Sequence, residues 1–519
     1  MFHQAVFMKT LTISEQTSDG TINLALDTLK IGKQALIFCN TKKSAEKTAE
    51  DIARHSRNSG EELILLAGKI RMVLSRPTRQ CERLAACTKK GIAFHHAGLA
   101  QKQRELIEDA FRDGKIKIIC STPTLAAGVD LPAFRTILKS LRRYSGRGMA
   151  WIPVLEYLQM SGRAGRPGKE EYGESIAIAA SEGEKDELCE RYVQGEPEPI
   201  YSKLAVEPVL RTYVLSLIAS NVVNDFDSLI DFFSHTFWAY QYQDMEQLSA
   251  IIEKMVALLE EYEFITVSGS SSSPSAPSES AGFVSAEELI APQRRRLRAT
   301  ILGKRVAELY LDPLTAYELV CALRKATLHT AVIHPFAFLQ AISQTLEMTP
   351  PLSVKAKEWE LLQEKLAQYD AYLLTQEPTI YDPSYERFLS SVKLALTFED
   401  WTNEKDEEYL LETYAITPGE LHVKLNLADW LIYATQEIAR ILQFHALIKD
   451  LMKLRVRLKY GVQEELLTLL RLKGVGRVRA RRLYTNKIKT LKDVREASLM
   501  TLSQILGKGI AEQVKKQVE

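Results

Sequence analysis

The sequence predicts a multidomain fold in which an α/β domain on a parallel sheet is followed by mainly helical modules. Three observations carry that prediction. A length of 519 residues exceeds what one hydrophobic core organises. Up to residue 198, short apolar runs alternate with stretches of helical periodicity; Glu196-Pro-Glu-Pro199 then reads as a linker. From Lys203 onward, helical periodicity dominates.

In the first region, Gln34 to Thr41 reads as an apolar strand leading into a polar loop, and Lys43 to Ala53 as the next helix. Gly91 to Leu99 repeats the pattern, with a helix from Gln101 to Arg112. Ile116 to Cys120 and Glu174 to Ala180 supply further strands. Such alternation specifies a parallel sheet, and open sheets of this kind place ligands at the carboxyl ends of their strands. Ser121, Thr122 and Thr124 fall there, with Gly128 and Asp130 on the next turn. In Gln159-Met-Ser-Gly-Arg-Ala-Gly-Arg-Pro-Gly168, Arg163 and Arg166 lie among glycines behind Gln159. Guanidinium groups are planar, permanently charged donor forks suited to phosphate. Taken alone, a plain surface turn explains this string equally well.

Composition narrows the classes. The hydrophobic fraction of 46% and a net charge of +1 fit soluble globular units. The balance hides an asymmetry, because from His445 onward 18 Lys/Arg face 7 Asp/Glu. A basic tail on a nearly neutral chain points to a polyanion partner. The six cysteines form no C-x-x-C pair, and no cysteine or acidic residue stands at ligand spacing around His95 and His96, so no metal site is expected. No apolar run reaches membrane-spanning length and no signal-peptide pattern opens the chain, so a cytoplasmic location is expected.

Together, the strings at 121–132 and 159–168 resemble motifs V and VI in the second RecA-like domain of a superfamily 2 helicase. His95, His96 and Gly98 resemble the histidine-glycine stretch that precedes them. The resemblance assigns Gln159, Arg163 and Arg166 to ATP sensing and hydrolysis, with Gly128 and Asp130 coupling nucleotide to nucleic acid. It assigns Thr122 and Thr124 to phosphate contact, while His95 and His96 are read as structural or, for His96, as contacting nucleic acid. A phosphate-cradling G-x-x-x-x-G-K-[ST] loop and an acidic magnesium box are not found in the chain. ATP and magnesium are therefore expected to be held mainly by a first RecA-like domain, and a separate polypeptide carrying it is the implied partner. The chain alone is expected to be inactive.

Between the two motifs, Tyr144-Ser-Gly-Arg-Gly148 is turn chemistry for a hairpin with strand-like runs from Thr136 and up to Pro153. In the Ski-two-like branch a hairpin here acts as a duplex-parting wedge. That resemblance gives Tyr144 and Met149 to the last base pair, and Arg142, Arg143 and Arg147 to phosphates; a plain surface hairpin is the alternative. Residues 199–305 suit a winged helix, with helices Lys203 to Ser220 and Met245 to Tyr262, a wing strand Phe264 to Val267, and a Ser/Pro-rich disordered loop over 269–282.

Residues 306–442 are predicted helical. In Thr417 to Arg440, Thr417 is the predicted N-cap, Pro418 the first helical residue and Glu420 the third. This segment resembles the ratchet helix of archaeal HELQ-type repair helicases, in which a tryptophan stacks on a base. Trp430 holds that position, although Leu427 and Leu431 also suit a core tryptophan. Val423 stands where the family places an arginine, flanked by His422 and Lys424 as substitutes for phosphate contact. In 443–519, Gly474-Val-Gly476 is a helix-hairpin-helix signature whose backbone N–H groups suit a phosphate, with Arg477, Arg479, Arg481 and Arg482 adding salt-sensitive attraction. Leu506-Gly-Lys-Gly-Ile510 suits a second hairpin. The resemblance implies the carboxyl-terminal part of a 3′–5′ DNA helicase acting on single-stranded and forked DNA in repair. The alternatives are a non-enzymatic DNA-binding module and an RNA-remodelling relative.

Overall fold

The computed structural model describes residues 12–74, 76–144, 148–166, 168, 170–268, 295–328 and 334–518. Arg147 and the expected loop over 269–282 lie outside them. The chain divides into two compact units: Met1–Pro199 with Asp406–His422, and Ile200–Lys405 with Val423–Glu519.

The first unit contains β1 (Ala35–Phe38), β2 (Ile92–His95), β3 (Ile118–Ser121), β4 (Arg135–Leu138), β5 (Arg142–Tyr144), β6 (Met149–Trp151) and β7 (Glu174–Ala177). Five of them form one sheet in the order β2-β3-β1-β4-β7, and every neighbouring pair is parallel. All residues of β1 to β4 are buried, which explains their nearly continuous apolar runs. The run beginning at Thr136 was expected to form one arm of the hairpin. It belongs instead to β4, and only the short β5 and β6 pair as the hairpin, with Tyr144 opposite Met149. An apolar run bordering a turn cannot by itself distinguish a hairpin arm from a buried sheet strand.

Charged groups inside this unit are paired. Arg135 opens β4 with its side chain 3% exposed, donating to Glu174 (2.7 Å), Asp27 (2.9 Å) and Thr28 (2.8 Å). His96 follows β2 and is fully buried. Its Nδ1 accepts from the Gly98 N–H (3.1 Å), which leaves Nε2 to donate to Glu46 (3.1 Å). Glu46 also accepts from Gln80 (2.7 Å) and Arg83. Burial alone would raise the Glu46 carboxyl, but these hydrogen bonds and the Arg83 charge outweigh it and hold it at about 2. Of the two roles expected for His96, the buried ring with both nitrogens bonded fits the structural one and not contact with nucleic acid.

A second difference concerns Asp406–His422, expected within the helical module but packed with the sheet unit. Arg76 pairs with Asp406 (2.7 Å), and Arg79 pairs with Glu412 (3.2 Å). Helix Pro418–Ile441 begins as predicted, although the Thr417 hydroxyl donates to Glu420 (2.6 Å), which also receives Lys42. Gly419 donates its N–H to Gly98 O (3.1 Å). A Cβ on Gly419 would lie 2.3 Å from the carbonyl oxygens of both Ala97 and Leu99, so only glycine permits this approach.

The second unit begins with a winged-helix arrangement. Helices Glu207–Ala219, Phe226–Ser234 and Met245–Glu261 lead to β8 (Ile265–Ser268), which pairs antiparallel with β9 (Arg296–Ala299). Helices Ile301–Glu308, Pro313–Leu328, Pro335–Gln344, Trp359–Tyr369 and Tyr385–Thr402 follow, together with helix Pro418–Ile441 from Val423 onward and helix His445–Tyr460. The tail closes a core of its own around Leu466, Leu469, Leu483, Val494 and Leu502.

Two outcomes are expected. Gly419→Ala would gain about 1 kcal/mol from helix propensity alone, yet the two carbonyl contacts make it destabilising by roughly 1–3 kcal/mol; urea unfolding gives the sign. Glu46 contributes stability that is fully present above its ordinary value of 4.5 and is lost as pH falls toward about 2. The stability difference between wild type and Glu46→Gln should therefore stay constant at neutral pH and shrink on acidification, as melting curves across that range will record.

Candidate nucleic-acid and nucleotide-facing sites

The carboxyl ends of β1 and β3 open into a cleft of about 530 Å³ in the first unit. Asn40, Thr122, Thr124, Arg143, Glu156 and Gln159 line it. The Thr122 and Thr124 hydroxyls lie 3.0 Å apart, with Thr124 exposed. Arg143 reaches in from β5 and is held by Glu156 at 3.1 Å. Hydroxyls, an amide and a guanidinium in one groove form a donor set suited to a nucleic-acid backbone. Asn40 and Glu156 were not singled out from the sequence; Asn40, at the carboxyl end of a parallel strand, carried the positional signal.

Gln159 was expected beside the two arginines. Its helix, Val154–Ser161, carries it into the cleft with Thr122 and Thr124, while the arginines follow in the loop before β7. Arg163 donates to Ala126 O (3.0 Å) and to Asp130 (3.3 Å), whose side chain is largely exposed. Gly128 is exposed on the same turn. Arg166 donates to Glu170 through Nη2 (2.6 Å) and Nε (3.2 Å), and also to Gln34 at the entry to β1. Burial alone would raise the Glu170 carboxyl, but Arg166 and Lys33 hold it below its ordinary value. Each guanidinium thus already has acceptors, and meeting phosphate requires an exchange. Among the described residues no cluster of three or more His, Cys, Asp or Glu could hold a metal ion. These residues fit contact with nucleotide phosphates from one side.

The hairpin presents Tyr144 and Met149 to solvent. Arg142 is occupied, with its guanidinium 3.9 Å from the Trp151 ring centre and a bond to Glu187 (3.4 Å).

In the second unit, Trp430 is half-buried and its indole N–H donates to Leu309 O (3.2 Å). Val423 is exposed, as is His422, which belongs to the first unit. Lys424 corrects an expectation: it is buried and its ammonium donates to Met348 O and to Pro350 O (2.8 Å), so it does not substitute for the family's arginine. In the tail, Gly474 adopts φ +86° and Gly476 caps helix Arg477–Thr485 without a side-chain bond. Short 3-10 turns at Glu464–Leu466 and Leu469–Arg471 precede the hairpin where a regular helix was expected. Arg479 is exposed, donating to Gly474 O (2.8 Å). Arg477 and Arg481 are largely structural. The Arg477 guanidinium lies 4.8 Å from the Trp401 ring centre and donates to Lys405 O (2.8 Å), while Arg481 is bound by Glu404 (2.9 Å) and Glu465 (3.0 Å).

Comparison with known proteins agrees with this layout. Residues 20–168 match the helicase conserved C-terminal domain and 173–266 a helix-turn-helix domain. Residues 336–461 match archaeal helicase domain 4, and 466–519 a SAM-like helix-hairpin-helix tandem. The chain is 36% identical over 514 residues to the ATP-dependent DNA helicase Hel308 of Methanococcus vannielii, covering 95% of this chain and 67% of that protein. Identity is also 36% to the Hel308 proteins of Pyrococcus abyssi, covering 94% of this chain and 64% of the relative, and of Methanocella arvoryzae, covering 96% and 64%. The chain spans about two thirds of the length of these curated relatives. It belongs to the Hel308 family of superfamily 2 helicases and corresponds to the carboxyl-terminal portion of that family.

Proposed function

We propose that this chain is the DNA-gripping and phosphate-sensing part of an ATP-dependent helicase that moves 3′ to 5′ on forked or branched DNA during repair. The observation that carries this reading is the cleft at the carboxyl ends of β1 and β3, where Thr122, Thr124, Asn40 and Arg143 converge beside an exposed hairpin. The strand backbone runs along the cleft, and Tyr144 and Met149 meet the duplex at the fork. Trp430 offers a ring face to a base, and Gly474, Gly476 and Arg479 contact backbone phosphates without reading sequence.

ATP with magnesium supplies the hydrolysis that drives movement, and it is held mainly by a first RecA-like domain, in the same or a separate polypeptide. Arg163 and Arg166 meet its phosphates by releasing Asp130 and Glu170, with Gly128 adjusting beside them. Gln159, on the helix that ends just before Arg163, ties the state of the cleft to the state of the arginines. The setting for this chemistry is the cytoplasm.

Two measurements test the reading. ATPase activity on forked DNA should appear when a polypeptide carrying the phosphate-cradling loop is added, and Arg163→Ala should then reduce it by about a thousandfold while DNA affinity stays nearly unchanged. A large affinity loss would place Arg163 on the DNA instead, and no activity with any such polypeptide leaves a binding module. Separately, Trp430→Ala should weaken single-strand binding by roughly 1–3 kcal/mol, read by fluorescence anisotropy; unchanged binding returns Trp430 to the core.

A further inference from the structure

Helix Ile301–Glu308 ends in a turn normally made by glycine. The Leu311 N–H donates to Val306 O (3.3 Å) and the Tyr310 N–H to Ala307 O (3.1 Å), the paired bonds of a Schellman motif. The residue in the left-handed position is Tyr310, at φ +56°. A side chain in that conformation costs about 1–2 kcal/mol, and Tyr310 does not recover it by packing, because it is 84% exposed. The same left-handed turn ends other helices of this chain at Asn221, Glu263, Glu404, Gln443 and Lys487, so what sets Tyr310 apart is its exposed ring and the place where the turn holds it.

Its surroundings define that place. The carbonyl of Leu309, the preceding residue, accepts the Trp430 indole N–H. Tyr433, three residues along the same helix as Trp430, has the Arg455 guanidinium 4.8 Å from its ring centre and receives Arg305 at its hydroxyl (3.4 Å). Arg455 is paired with Asp429 (2.9 Å), and Arg305 with both Glu437 (2.7 Å) and Glu308 (2.7 Å).

We propose that Tyr310 is a second base-stacking residue on the single-strand path, held beside Trp430 by the Schellman turn. This rests on the reading of Trp430 given above. A protein partner covering this surface would desolvate several ion-paired side chains, which costs free energy unless each is re-paired. A base stacked on the ring leaves them in water. Binding here is assigned to the ring face, and the salt dependence of affinity separates it from phosphate attraction.

The test compares Tyr310→Gly, Tyr310→Phe and Trp430→Ala in the full chain. Affinity for a fluorescein-labelled single-stranded oligothymidylate is measured by anisotropy at low and high salt, together with melting temperature. Tyr310→Gly should melt no lower than wild type, since glycine accepts positive φ freely. It should bind about tenfold more weakly, the change expected from one lost base–aromatic stack, by the same factor at both salt concentrations. Tyr310→Phe should bind like wild type. If Tyr310→Gly binds normally while Trp430→Ala binds weakly, this proposal alone falls; if neither weakens binding, the ratchet reading falls with it. A lower melting temperature for Tyr310→Gly, a loss that grows with falling salt, or an equal loss in Tyr310→Phe also overturns the proposal.

Discussion

The first unit depends on one constraint: its central strands are parallel and buried on both faces. Such strands cannot display chemistry along their length, so every functional group must sit at their ends or in the connections. Asn40 and Thr122 follow directly from β1 and β3 and share one cleft. The arginines leave from the other direction, in the loop that enters β7, where Arg166 reaches Gln34 at the entry to β1. The helix Val154–Ser161 joins these two settings, with Gln159 in the cleft and Arg163 two residues past its end. A displacement of this one rigid element is therefore felt at both.

The parallel sheet was legible in the sequence because alternating apolar runs and helical periodicity are local signals. Helix Gln101–Arg112 has the bounds that its periodicity predicts. What escaped was decided by non-local pairing. The run from Thr136 is equally apolar whether it pairs with β1 or folds back as a hairpin, and only its neighbours decide. His96 reads as polar and near a ligand edge, yet Glu46, the carboxylate that makes its burial tolerable, lies 50 residues earlier and is itself held by Gln80 and Arg83.

The basic tail shows the same limit at the level of charge. Its 18 Lys/Arg include Arg477 and Arg481, which are used to attach the tail core to Trp401, Glu404 and Lys405. Counting charges thus overstates the surface offered to a polyanion. Arg479 and the glycine turn remain oriented outward, so the positional motif is more informative than the total.

The bond between Arg166 and Glu170 bears on how selectively this unit responds to its ligand. On the proposed reading, a phosphate displaces a carboxylate that is already well bound by two hydrogen bonds. The net gain is the difference between two anions of similar character, so Arg166 contributes little to ground-state affinity. The difference grows only as negative charge accumulates on the transferring group. A pre-engaged arginine of this kind ignores the resting nucleotide and acts on the reaction's rate.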